Sequence, residues 1–286
     1  LFQRGLFSDR TSFDAITFDG DLTDVLHDPI NSTLNSMGIN IHYNTPIRSI
    51  KKNSNGIEIA HRKGKEQFDK IVICLDIRQT KRLLSNLTKE EKLSKLFNDL
   101  EQLTSSALIG IHARHPNPII PNNLPYLVMT NEPIIQMLFD RHGEQGQNDD
   151  WWVSVPVSYA DPFLKFSDDD LIKEYTRVLS SRLPSTWNEP DEVIVVRIPH
   201  ATFSPKPGTS SIRPKQNAID EDVFIGGAWT DTGWPSTMEG AVRSGLLAAN
   251  GLLQLPMNAD LEWEEWPKAP SRDDKSWPIW APEVNK

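Results

Sequence analysis

The hydrophobic pattern near the start of the chain predicts a helix. Across residues 22–38, apolar side chains recur three or four positions apart, which is the period of an amphipathic helix. They are Leu26, Ile30, Leu34 and Met37. Gly38 follows, and glycine commonly ends a helix because it adopts the left-handed conformation without strain. The pattern therefore predicts one helix before the first strand.

Short apolar runs separated by turn signals predict four strands next. The runs are 39–44, 46–52, 56–62 and 68–75, with NSNG and KGKE as turns. The last run, FDKIVICL, is nearly continuous in Ile and Val, which is typical of a strand buried on both faces. Cys74 lies in this run, so we expect a buried core thiol rather than a nucleophile. As the single cysteine, it excludes an intrachain disulfide and a cysteine-rich metal site.

The remaining pattern predicts a mixed α/β (α+β) fold in which one domain is inserted into another. Helical periods at 77–86 and 89–101 precede a strand-rich region, which is interrupted by a helix at 168–183. The strand DVFIGGAW and a helix at 237–253 follow. This order predicts an α/β domain made of residues 1–101 and 201–255, with an antiparallel-sheet domain at 102–200 between them. Residues 256–286 form a Trp-rich tail, whose indoles we expect to pack against the chain itself, with a partner as the alternative.

Composition narrows the class of function. The net charge of −9 and the absence of a dense Lys/Arg block argue against a nucleic-acid partner. No run approaches the roughly 18 to 20 apolar residues that span a bilayer. His112 and His115 stand three apart on a predicted strand and so point to opposite faces, and no metal site is expected. The acidic run 168–170 is interpreted as the N-terminal charge of the helix that follows. The pattern identifies no catalytic acid, base or nucleophile.

The stretch GGAWTDTGWPSTMEGAVRSGLLAANGLL, residues 226–253, carries the strongest chemical pattern. Ser236 and Glu239 have the spacing of a capping box, which would leave the N–H groups of Thr237 and Met238 free at a positive helix end. Such groups suit an anion or a group that becomes negative during reaction. The upstream strand end is where ligands bind in open α/β sheets. For a Gly-Gly pair and a capped helix in isolation, ordinary tight packing would be the better explanation.

The full string resembles the C-terminal flavin motif of the FAD-dependent amine oxidase and phytoene desaturase superfamily. Within it, the string is most similar to the squalene-associated branch, the hydroxysqualene dehydroxylases. The match runs from Gly227 to Gly245. The segments PINSTLNSMGINIHYNTPIRSI, FDKIVICLDIRQTKRLL and ATFSPKPGTSSIRP are similar to the same family in the same order. The resemblance covers about residues 20–253 and implies a partial, Rossmann-like FAD-binding domain with an inserted substrate domain.

The resemblance implies FAD as cofactor and assigns its contacts by position. The strand containing Ile47 would meet the adenine, and Thr237 and Met238 would meet the pyrimidine edge of the isoalloxazine, where reduction adds negative charge. The other candidate cofactor-binding residues are Gly227, Ala228, Trp229, Gly233, Trp234 and Pro235. The implied reaction is hydride exchange with a C30 or C40 isoprenoid. Its hydrophobic substrate implies peripheral contact with the cytoplasmic membrane, and the single cysteine fits a reducing, cytoplasmic compartment.

The inserted region corresponds to the part of that family which lines an apolar cavity for the isoprenoid chain. The candidate lining residues are Met129, Met137, Leu138, Phe139, Trp151 and Trp152. For each of them, a place in the plain core of the sheet is an equal alternative.

Two features depart from the family pattern. The 286 residues contain no G-x-G-x-x-G loop to receive the pyrophosphate, and they begin at Leu1. The phosphate-binding half is therefore expected to be cut away or carried by a second polypeptide. Ala228 stands where the family has an Asp or Glu that hydrogen-bonds a ribityl hydroxyl. The loss of that hydrogen bond would weaken flavin binding by about 1 to 3 kcal/mol. These departures leave open a flavin-free binding or scaffolding subunit, and an amine oxidase is a further alternative.

Overall fold

A computed structural model describes residues 22–85, 87, 94–141 and 151–256. These residues divide into two compact units. The first unit contains residues 41–106 and 200–256, and the second contains residues 22–40 and 107–199. Both helices and sheets are present, and a sheet with antiparallel strand pairs lies mainly in the second unit. The mixed fold class predicted from the sequence is confirmed.

The first helix forms where the apolar period predicts it. A π-helical turn at Thr23–His27 runs into α1, Asp28–Ser36. Gly38 then adopts a φ of +75°, and the N–H of Ile39 donates to the carbonyl of Leu34 at 3.1 Å. This is the Schellman arrangement of a glycine-ended helix. The predicted helix and its glycine end are therefore confirmed.

The strands that lie wholly in the first unit form two small sheets, whose residue ranges are as follows. An antiparallel sheet contains β1 (Ile47–Asn53), β2 (Gly56–His61) and β3 (Gly64–Phe68). In a second sheet, β4 (Ile71–Ile73) pairs in parallel with β10 (Val223–Ile225). Strands far apart in sequence are thus brought side by side, with their carboxyl ends at one edge.

The sequence prediction of this region was wrong in three places. Residues 39–44 form no strand; the chain turns there, and Asn44 has a φ of +54°. The predicted strand at 68–75 is divided between the end of β3 and the short β4. Most of the supposed KGKE turn belongs to β3, whose residues are all exposed. An exposed edge strand is held by its backbone ladder and has no apolar pattern that could reveal it.

Three α-helices lie in the described part of the first unit. They are α2 (Ile77–Leu84), α3 (Ser94–Gln102) and α5 (Met238–Leu252). The Asp76 side chain caps α2 by accepting from the N–H of Gln79 at 2.9 Å. Apolar side chains from the sheets and helices pack into one core, which includes Ile50, Ile57, Ile73, Leu83, Leu84, Leu100, Val223 and Ile225.

A sheet of five strands lies mainly in the second unit, in the order β6-β7-β8-β5-β9. Its strands are β5 (Ser105–His115), β6 (Tyr126–Val128), β7 (Met137–Asp140), β8 (Trp151–Ser158) and β9 (Glu192–Phe203). The helix α4 (Asp168–Arg182) begins with three aspartates, and Ser167 and Asp170 form its capping box. The interpretation of the acidic run as helix-terminal charge is therefore confirmed.

The two faces of this sheet differ in how far they are buried. One face is buried with α4 in a core that contains Ile109, Ile111, Val153, Val155, Leu171 and Tyr175. Between β5 and α4, His115 Nε2 lies 2.8 Å from the Tyr175 hydroxyl, and its Nδ1 lies 2.9 Å from the carbonyl of Asn188. The opposite face carries the alternate side chains of the same strands, and it is partly open.

Candidate functional site

A cleft of about 500 Å³ lies in the first unit, beyond the carboxyl ends of β4 and β10. Its size is within the usual range of small-molecule sites, roughly 300 to 1,000 Å³. Its position is where open α/β sheets bind their ligands. The walls come from the residues after β4 (Cys74, Leu75, Asp76, Ile77), from Ser105, from the end of β9 (His200, Ala201, Thr202, Phe203), from the loop after β10 (Gly227, Ala228, Trp229) and from the start of α5 (Ser236, Thr237, Met238, Ala241).

One guanidinium organises the loop between β10 and α5. Arg213 donates to the carbonyls of Ala228 at 2.8 Å, Trp234 at 2.9 Å and Trp229 at 3.2 Å. It also bonds to the carbonyl of Thr230. Burial lowers the pKa of Arg213, but the group stays charged at neutral pH because its ordinary pKa is so high. Sequence reasoning missed this residue, because its acceptors are backbone carbonyls that leave no mark in the sequence.

The loop passes close to its neighbours at Gly227. This residue has a φ of +141°, and a Cβ here would lie 2.5 Å from Trp229 Nε1. The indole instead donates from Nε1 to the carbonyl of Leu75 at 3.0 Å, while the N–H of Gly227 donates to Ser244 Oγ at 2.8 Å. Glycine is therefore required at this position, where the ends of both parallel strands and α5 are tied together.

The start of α5 differs from the sequence prediction. The N-cap is Thr237, whose hydroxyl accepts from the N–H of Gly240 at 3.4 Å, and Ser236 lies one residue earlier. Glu239 does not complete a capping box but pairs with Arg243 at 2.7 Å. The predicted Ser236–Glu239 box is therefore wrong, because the tertiary packing of the loop moves the helix start by one residue.

The donors at this helix end change accordingly. The N–H of Thr237 donates to the carbonyl of Pro235 at 2.8 Å and is not free. Within the described part of the chain, the free N–H groups of the first turn belong to Met238 and Glu239. The chain folds back so tightly here that a Cβ on Gly240 would lie 2.4 Å from the carbonyl oxygen of Pro235. The prediction of a free Thr237 N–H is therefore wrong, whereas Met238 keeps its free donor.

Cys74 lies in the cleft and not in the core. The strand β4 ends at Ile73, so Cys74 is the first residue beyond it and is exposed. Its sulfur packs beside Gly226, where a Cβ would lie 2.8 Å away, and this partial burial raises the pKa of the thiol. The expectation of a buried core thiol is therefore wrong, although the thiol stays protonated at neutral pH and is a poor nucleophile.

A hydrogen-bonded pair in the cleft wall was also missed by sequence reasoning. Ser105 Oγ lies 2.8 Å from His200 Nδ1, and both residues line the cleft. The two residues are far apart in sequence, and only the pairing of β5 with β9 brings them together. No local pattern could have indicated this pair.

The remaining candidate cofactor residues lie outside the cleft wall. Ile47 packs against the core of the first unit, and its carbonyl accepts from Arg82 at 3.4 Å. Gly233 has a φ of +65° in the loop, and the Arg243 guanidinium lies 5.0 Å from the centre of the Trp234 ring. The structure thus brings five candidates to the cleft, namely Gly227, Ala228, Trp229, Thr237 and Met238. The flavin contacts of all nine candidates stay predictions.

A second cleft, of about 570 Å³, lies on the partly open face of the sheet in the second unit. Phe139 and Trp152 line it, as the family resemblance implies, whereas Leu138 is fully buried in the core. His112 also lines this cleft, and His115 points into the core on the other side of the sheet. The two histidines therefore have separate surroundings, as their odd spacing predicts.

Curated proteins with similar sequences act on isoprenoids. The chain is 24% identical over 248 residues to 15-cis-phytoene desaturase of Glycine max, covering 82% of this chain and 43% of the relative. It is 34% identical over 101 residues to hydroxysqualene dehydroxylase of Rhodopseudomonas palustris, covering 35% of this chain and 24% of the relative. The chain thus spans less than half the length of either relative.

Solved structures with the same fold are oxidoreductases. An oxidoreductase from Methanosarcina mazei matches with a TM-score of 0.62 and 15% identity, covering 78% of this chain and 52% of that one. Cyclohexylamine oxidase from Brevibacterium oxydans matches with a TM-score of 0.58 and 13% identity, covering 79% and 51%. At this level of identity the likeness shows the fold alone.

The family is shown by a match over most of the chain. The model of the flavin-containing amine oxidoreductases matches residues 20–253, which include both units and the loop that Arg213 organises. FAD is the cofactor of this family and of its desaturase relatives. The chain therefore belongs to the flavin-containing amine oxidoreductase family.

Proposed function

We propose that the chain is the C-terminal part, or a separate C-terminal subunit, of an FAD-dependent oxidoreductase that exchanges hydride with a C30 or C40 isoprenoid. The observation that carries this proposal is the cleft beyond β4 and β10, which the family-matching segment 226–245 helps to build. The names of the similar proteins, which include phytoene, zeta-carotene and hydroxysqualene, support the substrate class.

The residues of this cleft fit part of a flavin. The φ of Gly227 and the contact it allows with Trp229 let the loop backbone pass close to a ligand without an intervening side chain. The free N–H of Met238 at the start of α5 suits a group that gains negative charge, and Thr237 adds a hydroxyl nearby. When bound, FAD would supply the hydride acceptor or donor. Ala228 supplies no polar side chain to this wall.

In this proposal, the protein's own residues position the ligand and keep water away. Arg213 fixes the carbonyls of the loop, so that the wall formed by Ala228 and Trp229 is set before a ligand binds. The apolar side chains of Leu75 and Ile77 line the same cleft and would help to exclude water from a bound ligand. Preorganised donors in a dry site stabilise developing charge better than solvent does.

Ala228 favours a second candidate function. It lines the cleft at a position where, by the family resemblance, an acidic side chain would bind a ribityl hydroxyl. A chain without this contact would suit a flavin-free subunit that binds or scaffolds a partner. An amine oxidase is a weaker alternative, since the relatives of similar sequence act on isoprenoids.

The partners and location follow from the proposed reaction. A polypeptide with a G-x-G-x-x-G loop would supply the phosphate-binding half of the flavin site. The first unit would hold the flavin, and the second would hold the isoprenoid chain. No helix within the described ranges has the length and apolar character needed to cross a bilayer. A cytoplasmic protein resting on the inner surface of the cytoplasmic membrane would take such a substrate from the lipid.

A product assay tests this proposal. The protein would be purified from the cells that naturally express it, together with any polypeptide that accompanies it. It would then be supplied with FAD and incubated with hydroxysqualene, phytoene or primary amines. The expected result is conversion of an isoprenoid, detected by mass spectrometry as a change in its hydrogen or oxygen content. Faster conversion of liposome-bound than of detergent-dispersed substrate would support the membrane contact. Oxidation of amines alone, or flavin binding without any isoprenoid conversion, would contradict the proposal.

A further inference from the structure

The cleft of the second unit is apolar over most of its surface. It lies on the sheet face that α4 does not cover, and Leu108, Phe139, Trp152, Pro156 and Ile194 contribute its apolar lining. Along β9 the same face continues with Val196 and Ile198, which are 42% and 46% exposed. Three alternate β-branched residues exposed on one strand form an apolar strip that suits an elongated apolar ligand.

A polar pair stands in the middle of this apolar surface. His112 on β5 and Ser154 on β8 are directly opposite each other in the antiparallel register, and His112 Nδ1 lies 2.8 Å from Ser154 Oγ. Phe139 on β7 is the next residue in the same row. The imidazole is therefore fixed at Nδ1 by a neighbouring strand and flanked by apolar side chains.

Gly110 makes room for this arrangement. A Cβ on Gly110 would lie 2.8 Å from His112 Nε2, so the ring lies back along β5 over the glycine. Gly110 also lines the cleft. In the part of the chain that the structure describes, Nε2 has no hydrogen-bond partner, and the polar side chains that line the cleft beside it are those of Ser154 and Arg141. Nε2 is therefore open to the cleft and available to a ligand that carries a hydrogen-bonding group.

The charge state of this histidine suits a neutral ligand. Burial lowers the pKa of His112, and the nearby Arg141 lowers it further. The ring is therefore neutral at pH 7, with one nitrogen as donor and the other as acceptor. A hydroxyl group can pair with either tautomer, since it both donates and accepts.

We propose that His112 Nε2 binds the hydroxyl oxygen of an isoprenoid alcohol in the cleft of the second unit, with Ser154 positioning the ring. This inference rests on the proposed function, which supplies the isoprenoid skeleton of the ligand. It adds that, among isoprenoids, the cleft prefers those that carry a hydroxyl group. A hydrocarbon of the same skeleton would leave Nε2 unpaired, whereas the alcohol satisfies it. The selection would arise in the substrate cleft and not from the flavin.

A binding experiment with a matched pair of ligands tests this assignment. Farnesol and its deoxygenated analogue would be titrated into the naturally expressed protein, with tryptophan fluorescence as the signal, since Trp152 lines the cleft. We expect farnesol to bind about tenfold more tightly, as one added hydrogen bond predicts. His112→Phe should remove this preference, because it weakens the binding of farnesol and leaves the binding of the deoxygenated analogue unchanged. His112→Gln, which keeps a hydrogen-bonding group, should retain part of it.

The controls separate a local effect from a folding defect. Circular dichroism and FAD content would be measured on every variant, and His42→Phe, at an exposed site, should leave the preference for farnesol intact. Ser154→Ala should reduce the preference, because it frees the ring to rotate. Equal binding of the two ligands by the unmodified protein, or an equal loss of both in His112→Phe, would overturn the inference. A preserved preference without FAD binding would instead refute the proposed function and leave the role of His112 standing.

Discussion

The loop that borders the cleft of the first unit should depend on Arg213 more than on any surface arginine of the same charge. Arg213→Lys keeps the positive charge but replaces a planar set of donors, which reaches four backbone carbonyls, with a single ammonium group. Each carbonyl that loses its donor costs about 1 to 3 kcal/mol when buried. Arg213 is only partly buried, so water can replace some of the lost bonds. We therefore expect a loss of about 2 kcal/mol, the value for one or two unsatisfied carbonyls.

Hydrogen exchange measures this loss where it occurs. The N–H groups of Thr230 and Asp231 are protected by the carbonyls of Gly227 and Pro214, at 3.0 and 2.8 Å. A loss of about 2 kcal/mol should make their exchange roughly 30 times faster, since 1.36 kcal/mol corresponds to a factor of ten. The matched control is Arg177→Lys, in the second unit.

The control and the refuting result are well defined. Arg177 is 60% exposed and pairs with Glu174 and Glu132, so its replacement should change stability by less than about 1 kcal/mol. If the loop amides of Arg213→Lys exchange at the rate of the unmodified protein, the guanidinium does not hold the loop. If both variants accelerate exchange equally, the effect is not local to the loop.

Three further predictions concern glycine, alanine and histidine positions. Gly227→Ala should abolish FAD retention because its Cβ would collide with an indole, whereas Gly245→Ala, which meets no atom within 4 Å, should stabilise the helix by up to about 1 kcal/mol in urea unfolding. Ala228→Glu should tighten FAD binding about tenfold or more in equilibrium dialysis, and unchanged affinity would show that no flavin hydroxyl is within reach. Burial lowers the pKa of His115 in the folded chain below 6.5, the ordinary pKa of histidine. The unfolded chain therefore binds the proton first, and the free energy of unfolding should fall as pH drops through 6.5. His115→Gln should flatten this pH dependence, and an unchanged slope would refute it.

The segment that identifies the family was predictable because its pattern is local. The small residues of α5, the glycines after β10 and the strand before them are all read along one stretch of the chain. The mixed fold class and the helices followed from the apolar period in the same way. The tail beyond residue 256, with four of the nine Trp residues, lies outside the described residues.

The errors arose where contacts that no local sequence pattern reports decide the structure. The contact of Gly240 with the carbonyl of Pro235 decides where α5 begins, and no capping pattern reports it. The short pairing of β4 with β10 ends the strand at Ile73 and places Cys74 in the cleft. His112 and Ser154 become a pair only through the register of β5 with β8. Tertiary contacts thus override the local pattern at the very positions that form the two clefts.

The most direct test is the visible absorbance spectrum of the protein purified from the cells that naturally express it. Mass spectrometry would identify any polypeptide that accompanies it. The account predicts the bands of bound FAD, their loss in Gly227→Ala, and a partner or preceding segment that contains the G-x-G-x-x-G loop. A preparation that stays colourless after FAD is added, with the unmodified protein folded by circular dichroism, would contradict it.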